Sequence, residues 1–314
     1  MRTVRTTGYN GYSVKFSPFF EHVVACAGAA NYGLVGNGRL SIANDTPTGL
    51  QLDKAYDTQD GTFDCSWNEL NENQIASCGG DGSVKLWDLT IPHQPIRKWQ
   101  EHRREVFSIE WNYTKKDTFL TSSWDFTIKL WHPGQPASLR TWAEHSQCVY
   151  SVSWCPRQPD AFLSASGDGT VKLWDVKQPR SVQSVSAHAH EVLSVDWSKY
   201  REHVFATGSA DKSIKVWDAR HTRHEVETLL GHQYAVRRVR FSPHHDAVLA
   251  SASYDMTCRV WNIDAPMGQP QRELLDYHTE FVFGVDFNLY VPGQLATCAW
   301  DEQLAVVTVP GLVS

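Results

Sequence analysis

The segment DGSVKLWD (81–88) recurs as DFTIKLWH (125–132), DGTVKLWD (168–175), DKSIKVWD (211–218) and DMTCRVWN (255–262), at steps of 44, 43, 43 and 44 residues. A weaker copy begins at Asp301, 46 residues after Asp255. A steady period of about 40–50 residues marks a repeat architecture, so the chain is read by its repeat before any division into domains. Working outward from each copy, a histidine stands 23 residues before the aspartate: His102, His145, His188, His232 and His278. A hydroxyl stands four before it (Thr121, Ser164, Thr207, Ser251, Thr297), and a large aromatic nine after the histidine (Trp111, Trp154, Trp197, Phe241, Phe287). Trp67, Ser77 and Asp81 extend the register one unit back, with Thr58 in the histidine position. The runs VFSIEW, VYSVSW, VLSVDW and VRRVRF are rich in β-branched and aromatic residues and read as buried strands. The Asp-Gly or Asp-x pair before each KLWD-type strand supplies hairpin chemistry.

The Trp-Asp dipeptides at 87–88, 174–175 and 217–218 make the chain similar to the WD-repeat family, whose blades are four-stranded antiparallel sheets set radially. A further unit sits at the amino end. Phe16 takes the aromatic position and NGRLSIAN (37–44) the DGSVKLWD position, with Asn37 for the aspartate. The step from Phe16 to Asn37 is 21 residues against 14 elsewhere, which places seven extra residues within 27–36. The expected fold is all-β: a seven-bladed WD-repeat β-propeller forming a single domain over 1–314, with approximate units 1–44, 45–88, 89–132, 133–175, 176–218, 219–262 and 263–309. The last unit ends soon after its third strand, near Val306, so residues 2–7 are expected to supply the missing outer strand and close the ring. Closure removes exposed strand edges.

Composition agrees with a large core: 41% of the 314 residues are hydrophobic, including 13 Trp, 13 Phe and 11 Tyr. A balance of 29 Lys and Arg against 35 Asp and Glu, net −6, is wrong for gripping a phosphate backbone, so no nucleic-acid partner is expected. The longest apolar runs, such as 23–30, are far short of a bilayer span, and no direct membrane insertion is expected. Seven scattered cysteines without a C-x-x-C pair fit a reducing compartment.

The recurring histidine, hydroxyl and aspartate could suggest a catalytic triad. A catalytic constellation occurs once, however, whereas this set recurs in register with a tryptophan six residues past most of the aspartates. In WD-repeat proteins such residues form a hydrogen-bonded tetrad that ties the strands of a blade. The resemblance therefore implies structural tetrads His102/Thr121/Asp125/Trp131, His145/Ser164/Asp168/Trp174, His188/Thr207/Asp211/Trp217 and His232/Ser251/Asp255/Trp261. His244-His245, placed in a surface turn beside Ser242-Pro243, lack the spaced partners of a zinc site. With no phosphate-binding loop, H-E-x-x-H or G-x-S-x-G motif, the chain is read as having no catalytic residues, no metal and no cofactor, and as not being an enzyme.

Function is then expected on one face of the disc, where the loop before each inner strand and the turn between the second and third strands emerge. Five residues past each histidine position stand Tyr12, Phe63, Phe107, Tyr150, Leu193, Arg237 and Phe283. Just before each aspartate position stand Gly36, Gly80, Trp124, Gly167, Ala210, Tyr254 and Trp300. So many aromatics on one rim are expected to form an exposed apolar patch and hence a partner site. Asp60, Glu105, Glu191 and Glu280 lie in the accompanying loops, suggesting a ligand with an apolar stripe and a few cationic groups.

The segments TGYNGYSVKFSPFF, ACAGAANYGLVGNGRL, DGTFDCSW, LLGHQYAVRRVRFSPHHDAVLASASYDMTCRVWN and YHTEFVFGVDF resemble the WD-repeat peroxins that act as receptors for the type-2 peroxisomal targeting signal, from about residue 8 to 305. The resemblance implies a receptor that binds an amino-terminal helical signal, R-[LVI]-x₅-[HQ]-[LA], on peroxisomal matrix proteins. It also implies delivery with a co-receptor peroxin to the peroxisomal docking machinery, shuttling between the cytosol and the peroxisome matrix. In a helix, residues seven apart lie on one side, so such a signal presents a basic and apolar face. That face is expected to meet Tyr12, Asp60, Phe63, Glu105, Phe107, Trp124, Tyr150, Glu191, Arg237, Tyr254, Phe283 and Trp300, with Glu105 and Glu191 pairing the cations and Phe107, Trp124, Tyr150 and Trp300 packing the apolar groups. A competing reading is a substrate receptor of a cullin-4 ubiquitin ligase, or a generic assembly scaffold, for which WDAR (217–220) matches the short W-D-x-R adaptor-docking signature.

Overall fold

The hairpin ahead of each KLWD-type strand is built by its aspartate. In the computed structural model, which describes residues 1–266 and 268–312, Asp125, Asp168, Asp211, Asp255 and Asp301 each accept, on Oδ1, the backbone N–H two residues on, at 2.9–3.1 Å. This side-chain turn holds the intervening residue at positive φ, which Gly82 and Gly169 accept freely and which Phe126, Lys212, Met256 and Glu302 adopt at φ of 61–74°.

Each such hairpin sits in a four-stranded antiparallel sheet, and there are seven sheets. From the inner strand outward they span 10–58, 62–100, 106–142, 149–186, 192–229 and 236–275, and the seventh is 282–308 completed by residues 2–5. They are numbered here as blades 1–7. Arg2–Arg5 pairs antiparallel with Gln303–Thr308, Arg2 facing Val306 and Arg5 facing Gln303, so the ring is closed by the amino-terminal strand. The sheets are offset by one strand from the repeat units: Gly49–Thr58, in the unit 45–88, is the outer strand of blade 1. The extra residues of blade 1 form a short turn, Ala30–Gly33, after the strand Val23–Ala29 and before Gly38–Thr46.

Apolar side chains between neighbouring blades make the core. Ala76, Leu86 and Trp99 of blade 2 pack with Ile109, Trp111 and Trp131 of blade 3, and comparable clusters fill the other junctions. Polar staples add direction: a side chain on one inner strand accepts an N–H from the next. Asp64 accepts Ile109 N at 3.1 Å, Ser66 accepts Trp111 N at 2.9 Å, and Ser194 accepts Val239 N at 3.1 Å. Asp286 accepts Phe16 N at 2.9 Å, the same staple across the seam where blade 7 meets blade 1. No helix among the described residues is long and apolar enough to cross a membrane.

Candidate functional site

The repeated polar residues come together inside the blades. Nδ1 of His102, His145, His188 and His232 lies 2.7–2.9 Å from Oδ2 of Asp125, Asp168, Asp211 and Asp255. The matching Nε2 atoms lie 2.7–2.8 Å from Thr121, Ser164, Thr207 and Ser251 hydroxyls. Trp131, Trp174, Trp217 and Trp261 donate Nε1–H to those same hydroxyls at 2.8–3.1 Å. One direction satisfies every group: indole to hydroxyl, hydroxyl to Nε2, Nδ1–H to carboxylate. Burial opposes charge on these carboxylates, yet the hydrogen bonds from histidine, hydroxyl and backbone prevail and hold all four below the usual aspartate range. In blade 7 His278, Thr297 and Asp301 repeat the chain, with Tyr277 Oη 2.8 Å from the Thr297 hydroxyl. The aspartate thus serves twice, closing the hairpin with Oδ1 and fixing the histidine with Oδ2; the histidine, hydroxyl and tryptophan members are buried and the aspartates half-buried.

The second set is placed by a device the repeat pattern does not reveal. In every blade the pairing of the two innermost strands skips one residue of the inner strand, and the skipped residues are Tyr12, Phe63, Phe107, Tyr150, Leu193, Arg237 and Phe283. A β-bulge leaves the extra residue unpaired and re-aims its side chain. Seven bulges at one level of a ring aim seven side chains at the mouth of the central channel.

There they form the floor of a cup of about 520 Å³. The expected exposed rim of aromatics is corrected: Tyr12, Phe63, Phe107, Leu193, Arg237 and Phe283 are buried, at 2–9% exposure. Their rings cover one another. Phe63 stacks on Phe107 at 4.6 Å and Phe107 on Trp124 at 4.7 Å, while Tyr12 meets Phe283 at 4.7 Å and Phe283 stacks on Trp300 at 4.8 Å. Large groups aimed inward at a narrow ring touch before they can reach solvent; of the seven only Tyr150 is partly exposed, together with the second tier of Trp124, Tyr254 and Trp300. Phe107 accordingly lies beneath Trp124 and does not offer a free face. Arg237 Nη1 donates to Leu193 O at 3.3 Å, and the guanidinium lies 5.8 and 5.5 Å from the Phe107 and Phe283 ring centres. Burial, reinforced by neighbouring Arg238, lowers its pKa.

Around this floor acids and rings share the wall of the cup, with Trp124 on blade 3 and Tyr150 on blade 4 standing beside the acids. Asp60, Glu105 and Glu191 line it from blades 2, 3 and 5, whereas Tyr254, Trp300, Tyr32 and Leu34 line it from blades 6, 7 and 1. Tyr150 Oη donates to Glu191 Oε1 at 3.0 Å, orienting that carboxylate, and burial together with Glu191 raises the phenol's pKa. Asp60 is seated by Gly61 N at 2.7 Å and by the missing side chain of Gly80, whose Cβ would stand 2.7 Å from Asp60 Oδ1. Glu280, expected with these acids, does not line the cup. Sequence reading passed over Tyr32 and Leu34; the available signal was the apolar run inside the extra seven residues. Below the cup, Arg240 bridges Glu110 and Asp196 at 3.3 Å each, and burial pushes Glu110 up to about 8.

Two further groups singled out from the sequence are placed by the structure. His244 and His245 are half-buried in their turn, with Nε2 atoms at 2.9 Å from Asn288 O and 3.0 Å from Leu312 O, so they bind blade 6 to blade 7. Arg220, the residue behind the ligase reading, has its guanidinium held by Asp218 of its own chain at 3.0 and 2.6 Å.

Comparison with known proteins follows the same lines. Residues 58–88, 93–132, 136–175, 179–218 and 223–262 match the family described as WD domain, G-beta repeat. Over 99% of both chains this sequence is 44% identical to a mouse protein named peroxisomal targeting signal 2 receptor. A Dictyostelium discoideum protein of that name is 47% identical over 127 residues, 40% of either chain. Peroxisome biogenesis protein 7 of Arabidopsis thaliana is 47% identical over 135 residues, 42% of this chain and 43% of that one.

Proposed function

This chain belongs to the peroxisomal targeting signal 2 receptor family, and from that premise we propose that its cup binds the helical type-2 signal, R-[LVI]-x₅-[HQ]-[LA], at the amino end of peroxisomal matrix proteins. The observation that supports this most is the lining of the cup, in which Asp60, Glu105 and Glu191 stand among aromatic and aliphatic groups above a largely aromatic floor. A helix carrying Arg and His or Gln two turns apart, each next to an apolar residue, has the complementary face. Glu105 and Glu191 pair its cationic groups, and Trp124, Tyr150, Tyr254 and Trp300 pack its apolar ones. Pairs of this kind, desolvated on docking, set specificity and encounter rate more than total affinity.

A short helix loses conformational freedom when it docks, and burial on one side offsets only part of that. A co-receptor covering the outer side of the bound helix adds the rest, so delivery is a three-part assembly of signal, receptor and co-receptor that meets the peroxisomal docking machinery. The receptor shuttles between cytosol and peroxisome.

The test is fluorescence anisotropy of a labelled R-L-x₅-H-L peptide with the purified chain, with and without a co-receptor fragment, against a peptide with Arg replaced by Ala. Saturable binding that the control lacks is expected. Glu105→Gln and Glu191→Gln should each weaken it about tenfold, the equivalent of ~1.4 kcal/mol. Absence of saturable binding in both arms refutes the reading; binding that neither glutamate affects refutes its electrostatic half.

A further inference from the structure

The turn 30–37 of blade 1 is the one part of the cup wall that no repeat requires, and it is built against conformational preference. Asn31, Tyr32 and Gly33 stand in succession in the left-handed region, at φ of 49°, 58° and 69°. For a tyrosine that conformation is unfavourable by ~1 kcal/mol or more, and the fold over-determines it. Tyr12 Oη donates to Tyr32 O at 2.7 Å, Tyr32 N donates to Asn10 Oδ1 at 2.8 Å, and Asn31 Nδ2 donates to Val35 O at 3.2 Å. Gly33 is pressed onto the cup floor so closely that a Cβ there would stand 2.5 Å from Tyr12 Oη. The Tyr32 ring lies 5.3 Å from that of Trp300.

This anchored turn holds out apolar side chains. Leu34 is 83% exposed, Val35 74% and Tyr32 49%. Scattered single exposed apolar residues need no explanation, but three in one fixed turn bordering an apolar cavity mark a contact surface. Tyr32 and Leu34 are continuous with the cup lining, and the acids Asp60, Glu105 and Glu191 lie on blades 2, 3 and 5. A helix whose cations are drawn toward those acids turns its adjoining apolar residues toward the rest of the lining, which includes Tyr254, Trp300, Tyr32 and Leu34, with Val35 beside Leu34 on the turn.

We propose that the turn bearing Tyr32, Leu34 and Val35 is the specificity-determining wall for the apolar positions of the bound signal: it selects the residue after the Arg and the residue after the His or Gln, while the acids select the cations. The assignment rests on the receptor reading above and adds to it a residue-level division of labour. Because the backbone of the turn is anchored before binding, docking on it forfeits little backbone entropy.

The experiment compares two labelled peptides, R-L-x₅-H-L and R-S-x₅-H-S, on the full chain, on Leu34→Ser/Val35→Ser and on Glu105→Gln, by anisotropy in the presence of the same co-receptor fragment. The expected result is that the double substitution weakens the leucine peptide about tenfold and the serine peptide less than about twofold, so that discrimination between the two collapses. Glu105→Gln should weaken both peptides by the same factor. Thermal midpoints of the double variant should match the parent, since both side chains are exposed. If the parent binds the leucine peptide and the double variant binds both peptides as the parent does, the wall plays no part in selection and the inference falls while the receptor reading stands. If the parent binds neither peptide, the receptor reading falls and this inference with it.

Discussion

Replacing Thr121 by Val tests whether the tetrads hold the blades together. The substitution keeps shape and β-branching in a fully buried position, and removes one oxygen that is 2.8 Å from both Trp131 Nε1 and His102 Nε2. Neither orphaned group reaches water, since Trp131 is fully buried and the His102 side chain likewise. Leaving a buried polar group without a partner costs about 1–3 kcal/mol. Two of them amount to roughly 2–6 kcal/mol, against a gain of about 1 kcal/mol for the extra buried methyl. A net loss of about 1–5 kcal/mol is therefore expected, measured by urea unfolding followed through tryptophan fluorescence, with amide exchange across 119–131 as the local readout. The same substitution made on a Trp131→Phe background should cost about 1–2 kcal/mol less, because one of the two orphans no longer exists. A loss below about 1 kcal/mol, or an equal loss in both backgrounds, would refute the network as a source of stability.

Acid sensitivity should report on the same carboxylates. Asp125 is held below its ordinary value in the folded chain, so its contribution is present above the unfolded aspartate pKa of about 4 and is lost as pH falls below it; Asp125→Asn should be less stable than the parent at pH 7 yet lose less on acidification from pH ~4 downward, as read by unfolding midpoints across that range. Gly33→Ala should destabilise the chain by ~1–2 kcal/mol, since it combines a φ of +69° with a Cβ 2.5 Å from Tyr12 Oη, and near-ultraviolet circular dichroism should show the disturbed aromatic floor. Asp286→Ala removes the acceptor of Phe16 N across the seam and should lower stability by about 1–3 kcal/mol, with exchange of the Phe16 amide rising first; equal exchange would show that the outer strand alone closes the ring.

Much of this architecture is legible in one dimension because each blade is a nearly self-contained unit. The offset of 23 residues between His102 and Asp125, and the hydroxyl between them at Thr121, are fixed by how three neighbouring strands must align within one sheet. Ring closure was legible too, since a last unit without an outer strand at one end and a spare strand-like segment at the other have one compact solution. The burial of Phe107 and Arg237 was not. Both were expected to face a partner, and both lie in the stacked floor because side chains from seven blades, far apart in sequence, meet in a channel too narrow to keep them separate.

The sequence by itself determined the number of blades, the turn chemistry and the tetrads, all of which depend on residues within one period, and its similarity to known receptors determined the family. Only the tertiary structure decided which side chains the cup offers. A bulge in each inner strand sets where Tyr12, Phe63 and Phe283 point, and ring geometry sets what they touch. The anchoring of Tyr32 through Asn10 and Tyr12 turns an insertion into a wall. Those outcomes depend on distances between blades, which no spacing along the chain encodes.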